Sequence, residues 1–147
     1  MDEAGIDNND EYGFAWGPKQ ERVYGLKKAR RSCRLNIIST LNEKKIKAPF
    51  VFEGSCTTEV FLSYAEQILV KTLTPGMTVI MDNASFHKSP KLKKIIEDAG
   101  CKLLYLPPYS PDFNPIEHHW FGIKNAIRKL MPKHDGDLYA CATEVFA

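Results

Sequence analysis

The chain has 147 residues, 44% hydrophobic and 26% charged, with 20 Lys and Arg against 18 Asp and Glu. That size and balance suit a single domain over 1–147 with enough core to need no disulfide or zinc staple, and they exclude an intrinsically disordered chain. No apolar run approaches the roughly 20 residues of a membrane helix, and Met1 is followed by acids rather than by an export signal, so neither membrane insertion nor export is expected.

The front of the chain is the hardest part to read. Met1–Ile6 reads as a strand end and Tyr12–Trp16 as a second short strand. Residues 34–41 are rich in β-formers and read as a strand, and residues 48–53 as its antiparallel partner across a polar Asn-Glu-Lys-Lys turn. Over residues 57–73, Val60, Phe61, Tyr64, Ile68 and Leu69 recur at helical spacing behind a Thr N-cap, and Thr74-Pro75-Gly76 stops the helix.

Residues 77–81 form a short apolar run, the pattern of a strand buried on both faces. Residues 90–99 carry Leu92, Ile95, Ile96 and Ala99 at helical spacing before Gly100, and residues 101–106 form a second buried strand. Strand, helix, strand makes a βαβ unit with two parallel strands. Pro107, Pro108 and Pro111 then impose an extended loop. Asn114-Pro115 reads as N-cap and first helical residue of a long helix whose apolar stripe is Ile116, Trp120, Ile123, Ile127 and Leu130. A short terminal helix is expected over 136–147. The order of elements gives an α/β domain with a mixed sheet flanked by helices, in which chemistry collects at the carboxyl ends of the parallel strands.

The charges are segregated. Residues 1–18 sum to −5, residues 19–47 to +8 and residues 48–147 to −1. An acidic start beside a basic segment points to a cation site next to a polyanion-binding surface, although a solvated Lys/Arg-rich hairpin has the same composition. Cys33, Cys56, Cys101 and Cys141 are scattered, with no C-x-x-C pair and no His at zinc spacing. They read as free or buried thiols of a reducing compartment, so a cytoplasmic location is expected.

Asp82 directly follows the buried run at 77–81 and must be solvated, paired or metal-bound. It also suits the start of a turn with Asn83. Glu117 falls three residues after Asn114, where it fits a capping box as well as a ligand role. A cap turns back to the backbone, whereas a ligand points towards a neighbouring strand end.

Between Asp82 and Glu117 lie 34 residues. The flanking strings are Met81-Asp82-Asn83-Ala84-Ser85-Phe86-His87 and Tyr109-Ser110-Pro111-Asp112-Phe113-Asn114-Pro115-Ile116-Glu117-His118-His119-Trp120. Together with Asp2-Glu3-Ala4-Gly5, they resemble the catalytic core of the mariner-type transposases and their bacterial insertion-sequence relatives, whose Asp-Asp-Glu triad sits on a ribonuclease H-like fold. The resemblance runs from residue 2 to about residue 131 and is loosest across residues 8–33, where only Gly17-Pro18-Lys19 matches.

The resemblance implies Asp2, Asp82 and Glu117 as catalytic metal ligands. Two Mg²⁺ ions are implied, with Mn²⁺ able to substitute, and the reaction is DNA cleavage and strand transfer. Phosphodiester chemistry of this type uses a metal pair roughly 3.5–4 Å apart, and Mg²⁺ prefers a few carboxylates plus water and phosphate oxygens. Expected partners are transposon-end and target DNA, with a homodimer, nucleoid association and no small-molecule substrate.

Lys27, Lys28, Arg30, Arg31 and Arg34 are the candidate phosphate contacts. His87, His118 and His119 are candidates for orienting a ligand or a phosphate. Asp112 reads as a turn or cap residue, Tyr109 and Pro111 as shapers of the loop, and Trp120 and Phe121 as packing residues. Against the family pattern, the first strand reads as truncated at the N-terminus and the helix-turn-helix region as absent. A non-catalytic DNA-binding or dimerising regulator of the full-length transposase is therefore a second expectation, and a structure-specific nuclease a third.

Overall fold

The computed structural model describes residues 1–8, 17–19, 34–108 and 110–147. The expected strand at Tyr12–Trp16, the bases Lys27, Lys28, Arg30 and Arg31, and Tyr109 lie outside them. Strand β1 (Asp2–Asp7) pairs antiparallel with β2 (Arg34–Asn42), Asp2 opposite Ser39 and Asp7 opposite Arg34. Strand β2 pairs antiparallel with β3 (Lys45–Glu53). The hairpin between them is tighter than the sequence implies. Asn42 faces Lys45, and Glu43 and Lys44 turn the chain with φ of 50° and 62°. Positive φ at both central residues is the signature of a type I′ turn.

The second sheet is the expected parallel pair, β4 (Thr78–Met81) with β5 (Lys102–Tyr105), crossed over by helix α2 (Pro90–Asp98). Gly100 ends α2 at φ 73°, as the sequence indicates. Helix α1 (Thr58–Tyr64) starts where expected, with the Thr57 hydroxyl accepting the Val60 N–H at 3.3 Å. It then continues as a π-helical turn (Ala65–Leu69) and a 3₁₀ turn (Val70–Thr72), so the expected single helix is three helical forms in succession. Helix α3 (Glu117–Leu130) and helix α4 (Leu138–Phe146) close the chain. Asp137 caps α4 by accepting the Tyr139 and Ala140 N–H groups. No described helix is long and apolar enough to cross a membrane.

The period-two alternation of a strand sorts β1 between two cores. Ala4 and Ile6 face one side, with Leu35, Ile37, Ile116, Trp120, Ile127, Leu138 and Cys141. Met1 packs on the other, with Ile38, Phe61, Tyr64, Leu69, Val79, Met81, Leu92 and Ile96. The apolar stripe of α3 is therefore as read, with Trp120 and Ile127 buried.

Two further expectations fail. Strands β4 and β5 are not buried on both faces: Val79 and Met81 are buried, but the cross-strand partners Ile80 and Leu104 are 40% and 52% exposed. An unbroken apolar run carries no periodicity by which to tell one covered face from two. The second failure is the capping box. Helix α3 begins at Glu117 with Ile116 as its N-cap and no side-chain cap bond, while Asn114 sits buried upstream. The Asn114 side chain turns to the carbonyl of Met1 at 3.5 Å, a tertiary partner that local pattern cannot reveal.

Candidate active site

Asp82 stands at the carboxyl end of β4, on the loop into a 3₁₀ turn (Ser85–His87). Its Oδ1 accepts the Ala84 N–H at 3.2 Å, so the turn role read from Asp82-Asn83 is real. The same oxygen lies 2.5 Å from Nδ1 of His87. His87 is completely buried, and its Nε2 reaches Oε1 of Glu3 at 2.8 Å. Phe61 and Phe86 pack around the ring with centroids 4.3 and 4.4 Å away. Its backbone carbonyl accepts the Tyr105 hydroxyl at 2.6 Å, which ties the turn to the end of β5.

The imidazole thus links two carboxylates from two different sheets. Burial works against its charge, but the hydrogen bonds and charges of Glu3 and Asp82 prevail and raise its pKa above the usual value. The imidazole therefore has its charged form favoured by both acids. It also fixes one oxygen of Asp82.

Asp2 opens β1 and points to the opposite side of the sheet from Glu3, as alternation requires. It is buried, and its Oδ2 accepts the indole N–H of Trp120 at 2.8 Å. Burial and, after the opposing Trp120 bond, the charge of Glu117 push its pKa up to about 6. Glu117, first residue of α3, is exposed. Asp82 and Glu117 line one cleft of about 440 Å³, together with Asn83, Lys88, Pro107 and Asn114.

The structure therefore brings Asp82 and Glu117 to one cavity and Asp2 within electrostatic reach of Glu117. Among the described residues, no three His, Cys, Asp or Glu side chains converge into a ready-made metal cluster. The donor set nevertheless suits a hard divalent cation. All three candidates are carboxylates, and Asp2 is held where its charge is costly without a nearby cation. Of the other candidates, His118 is exposed on α3, and the Nδ1 of His119 lies 3.1 Å from the Pro115 carbonyl. Arg34 is exposed at the start of β2 and its guanidinium lies over Gly5, where an added Cβ would come within 2.7 Å of it. Asp112 lies in a short 3₁₀ turn (Pro111–Phe113), in keeping with its reading as a turn residue.

Glu3 was not singled out from the sequence. It was legible only as the second letter of Asp2-Glu3-Ala4-Gly5, and its partner His87 lies 84 positions away.

The antiparallel strands β1–β3, the parallel pair β4–β5 and the helices packed on them define a ribonuclease H-like mixed α/β fold. The structure aligns with the Mos1 strand transfer complex over 82% of this chain and 38% of that one, at TM-score 0.62 and 16% identity. It aligns equally, at 15% identity, with the Mos1 transposase paired-end complex with left transposon end. The chain belongs to the family described as DDE superfamily endonuclease, whose profile matches residues 1–138. In sequence it is 36% identical, over 67 residues, to the uncharacterized protein y4pE/y4sA of Sinorhizobium fredii (strain NBRC 101917 / NGR234). That match covers 44% of this chain and 47% of the relative, so the chain spans under half the length of the proteins it matches.

Proposed function

We propose that the chain is the catalytic core of a transposase, cleaving DNA phosphodiester bonds and joining the ends to target DNA. The observation that carries this reading is that Asp82, at a parallel strand end, and Glu117, at a helix start, line one cleft, with Asp2 close enough to feel the Glu117 charge. In this reading Asp2, Asp82 and Glu117 hold two Mg²⁺ ions, replaceable by Mn²⁺. Bound divalent ions supply a lowered pKa for the attacking hydroxyl and charge stabilisation for the leaving oxygen. His87 keeps Asp82 oriented through Oδ1, leaving Oδ2 to face the cleft's occupant. Lys88, on the same cleft, offers a positive charge to a phosphate. The working form is a homodimer on transposon-end and target DNA, in the cytoplasm and on the nucleoid.

The test is nicking of supercoiled plasmid DNA with Mg²⁺ or Mn²⁺. Cleavage is expected only with the divalent ion, and Asp82→Asn or Glu117→Gln should lower it by more than the roughly 10–100-fold that losing an outer partner of a ligand costs. Equal cleavage by either variant would sink the assignment. A second reading, a non-catalytic DNA-binding or dimerising regulator, is favoured by the burial of Asp2, which is not among the residues lining that cleft. It requires DNA binding that Asp82→Asn leaves unchanged, with no ion-dependent cleavage.

A further inference from the structure

Glu3 is not among the residues lining the cleft, yet two hydrogen bonds connect it to Asp82. Its neighbour Asp2 faces the opposite side of β1 and rests on Trp120. The Glu3 side chain enters the core beside His87 and is only 16% exposed. Its Oε1 lies 2.8 Å from Nε2 of His87 and also accepts the Cys56 thiol at 3.8 Å. A carboxylate taken that far out of water needs such partners. The walls around His87 are the rings of Phe61 and Phe86, which offer the imidazole no strong hydrogen-bond partner. Tyr105 holds the His87 backbone carbonyl and leaves the ring to its side-chain partners. A half-turn of the ring about its Cβ–Cγ bond would put carbon where each nitrogen stands and lose both bonds together. Glu3 therefore sets the ring from its far side, and the ring sets Oδ1 of Asp82.

We propose that Glu3 is a positioning residue for the cation site: through His87 it fixes the rotamer of Asp82 and the place of the Asp82 turn against the strand that carries Asp2. This rests on the reading of Asp2 and Asp82 as cation ligands. Strands β1 and β4 belong to different sheets, so the spacing of the two acids is not set by a shared ladder. The line from Glu3 through His87 to Asp82 spans that gap, starting from the residue next to Asp2. Oδ1 of Asp82 is held twice, by the Ala84 N–H and by His87, while the side chain as a whole remains 48% exposed. One oxygen is thus anchored and the other is presented outwards. Carboxylate ligands are held by outer hydrogen bonds of this kind, and removing such a partner costs roughly 10–100-fold in ion affinity. Misplacing a reacting group by about 1 Å costs a similar factor in rate. A Glu3 that only packed the core would affect the thermal midpoint and leave ion affinity alone.

The experiment measures the Mn²⁺ affinity of the full chain by electron paramagnetic resonance of the free ion, at one pH and well below the thermal midpoint of every variant. Glu3→Ala should weaken binding by roughly 10–100-fold. Glu3→Gln keeps a hydrogen-bonding group opposite Nε2 and should recover most of that loss. In a His87→Phe background, Glu3→Ala should cost nothing further, because the route to Asp82 is already cut. A second measurement needs no ion. With nitrogen-15-labelled histidine, the Nδ1–H proton signal of His87 should persist in the parent and in Glu3→Gln, and should vanish by exchange with water in Glu3→Ala. A parent chain that takes up no Mn²⁺ would sink the proposed function, and the His87 signal would then decide the role of Glu3. Parent-like affinity or an unchanged His87 signal in Glu3→Ala would overturn the proposal. So would a Glu3→Gln variant as weak as Glu3→Ala, or an undiminished loss in the His87→Phe background.

Discussion

Asp2 is caught between the indole N–H of Trp120, which favours its charged form, and burial with the Glu117 charge, which disfavour it. The balance raises its folded pKa to about 6 from an unfolded value of 3.8. The sign follows directly: the folded state holds the proton more tightly, so its contribution is fully present below about 3.8 and is lost as pH rises through about 6. At neutral pH the ionised Asp2 costs up to about 3 kcal/mol. Asp2→Asn should therefore be more stable than the parent at pH 7 by up to that amount. The two should be equal near pH 3.5, a difference that paired urea titrations would measure. A difference independent of pH would refute this account. On the proposed function, the same variant gains stability while losing the cation site, and Mg²⁺ should stabilise only the parent.

At this scale the sequence was half legible. Asp82 and Glu117 stand out through the resemblance of their flanking strings to the family, and both line one cleft. The partners that tune the acids were harder to see. Trp120 reads as a packing residue because its spacing is apolar, yet its N–H serves Asp2 across 118 positions. Glu3 and His87 meet only because β1 passes the turn after β4.

At the scale of elements, periodicity served well where a helix or strand has one wet face and poorly elsewhere. The stripe of α3 and the crossover of α2 were plain, whereas the exposure of Ile80 and Leu104 was not. The β2–β3 hairpin is an instance of local chemistry at odds with its geometry. Two residues with Cβ atoms, Glu43 and Lys44, occupy left-handed positions that favour Asn and Gly. Replacing them with Asn and Gly should stabilise the domain by about 1 kcal/mol, which for a chain of this size corresponds to a rise of roughly 3–5 °C in Tm by calorimetry. A fall in Tm would mean that the Glu and Lys side chains contribute contacts that outweigh the backbone strain.

At the scale of the molecule, net charge conceals a dipolar arrangement: an acidic start at −5 and a basic segment at +8. If residues 19–47 hold a DNA backbone, affinity should fall linearly with salt on logarithmic axes. Lys27→Ala with Lys28→Ala should then flatten the slope by about 2. Fluorescence anisotropy of a labelled duplex from 50 to 300 mM salt would read it. An unchanged slope would move the DNA contact elsewhere on the surface, and Arg34, lying across Gly5, is the described member of that set to test next.

The bond between Trp120 and Asp2 also makes the protein its own optical probe. The chain has two tryptophans, and the other, Trp16, can be replaced by Phe. The emission that remains comes from an indole whose N–H rests on the carboxylate that titrates near pH 6. Its wavelength and intensity should follow protonation of that acid in real time and without a label. Arrival of a divalent ion should shift the midpoint of the same curve downwards.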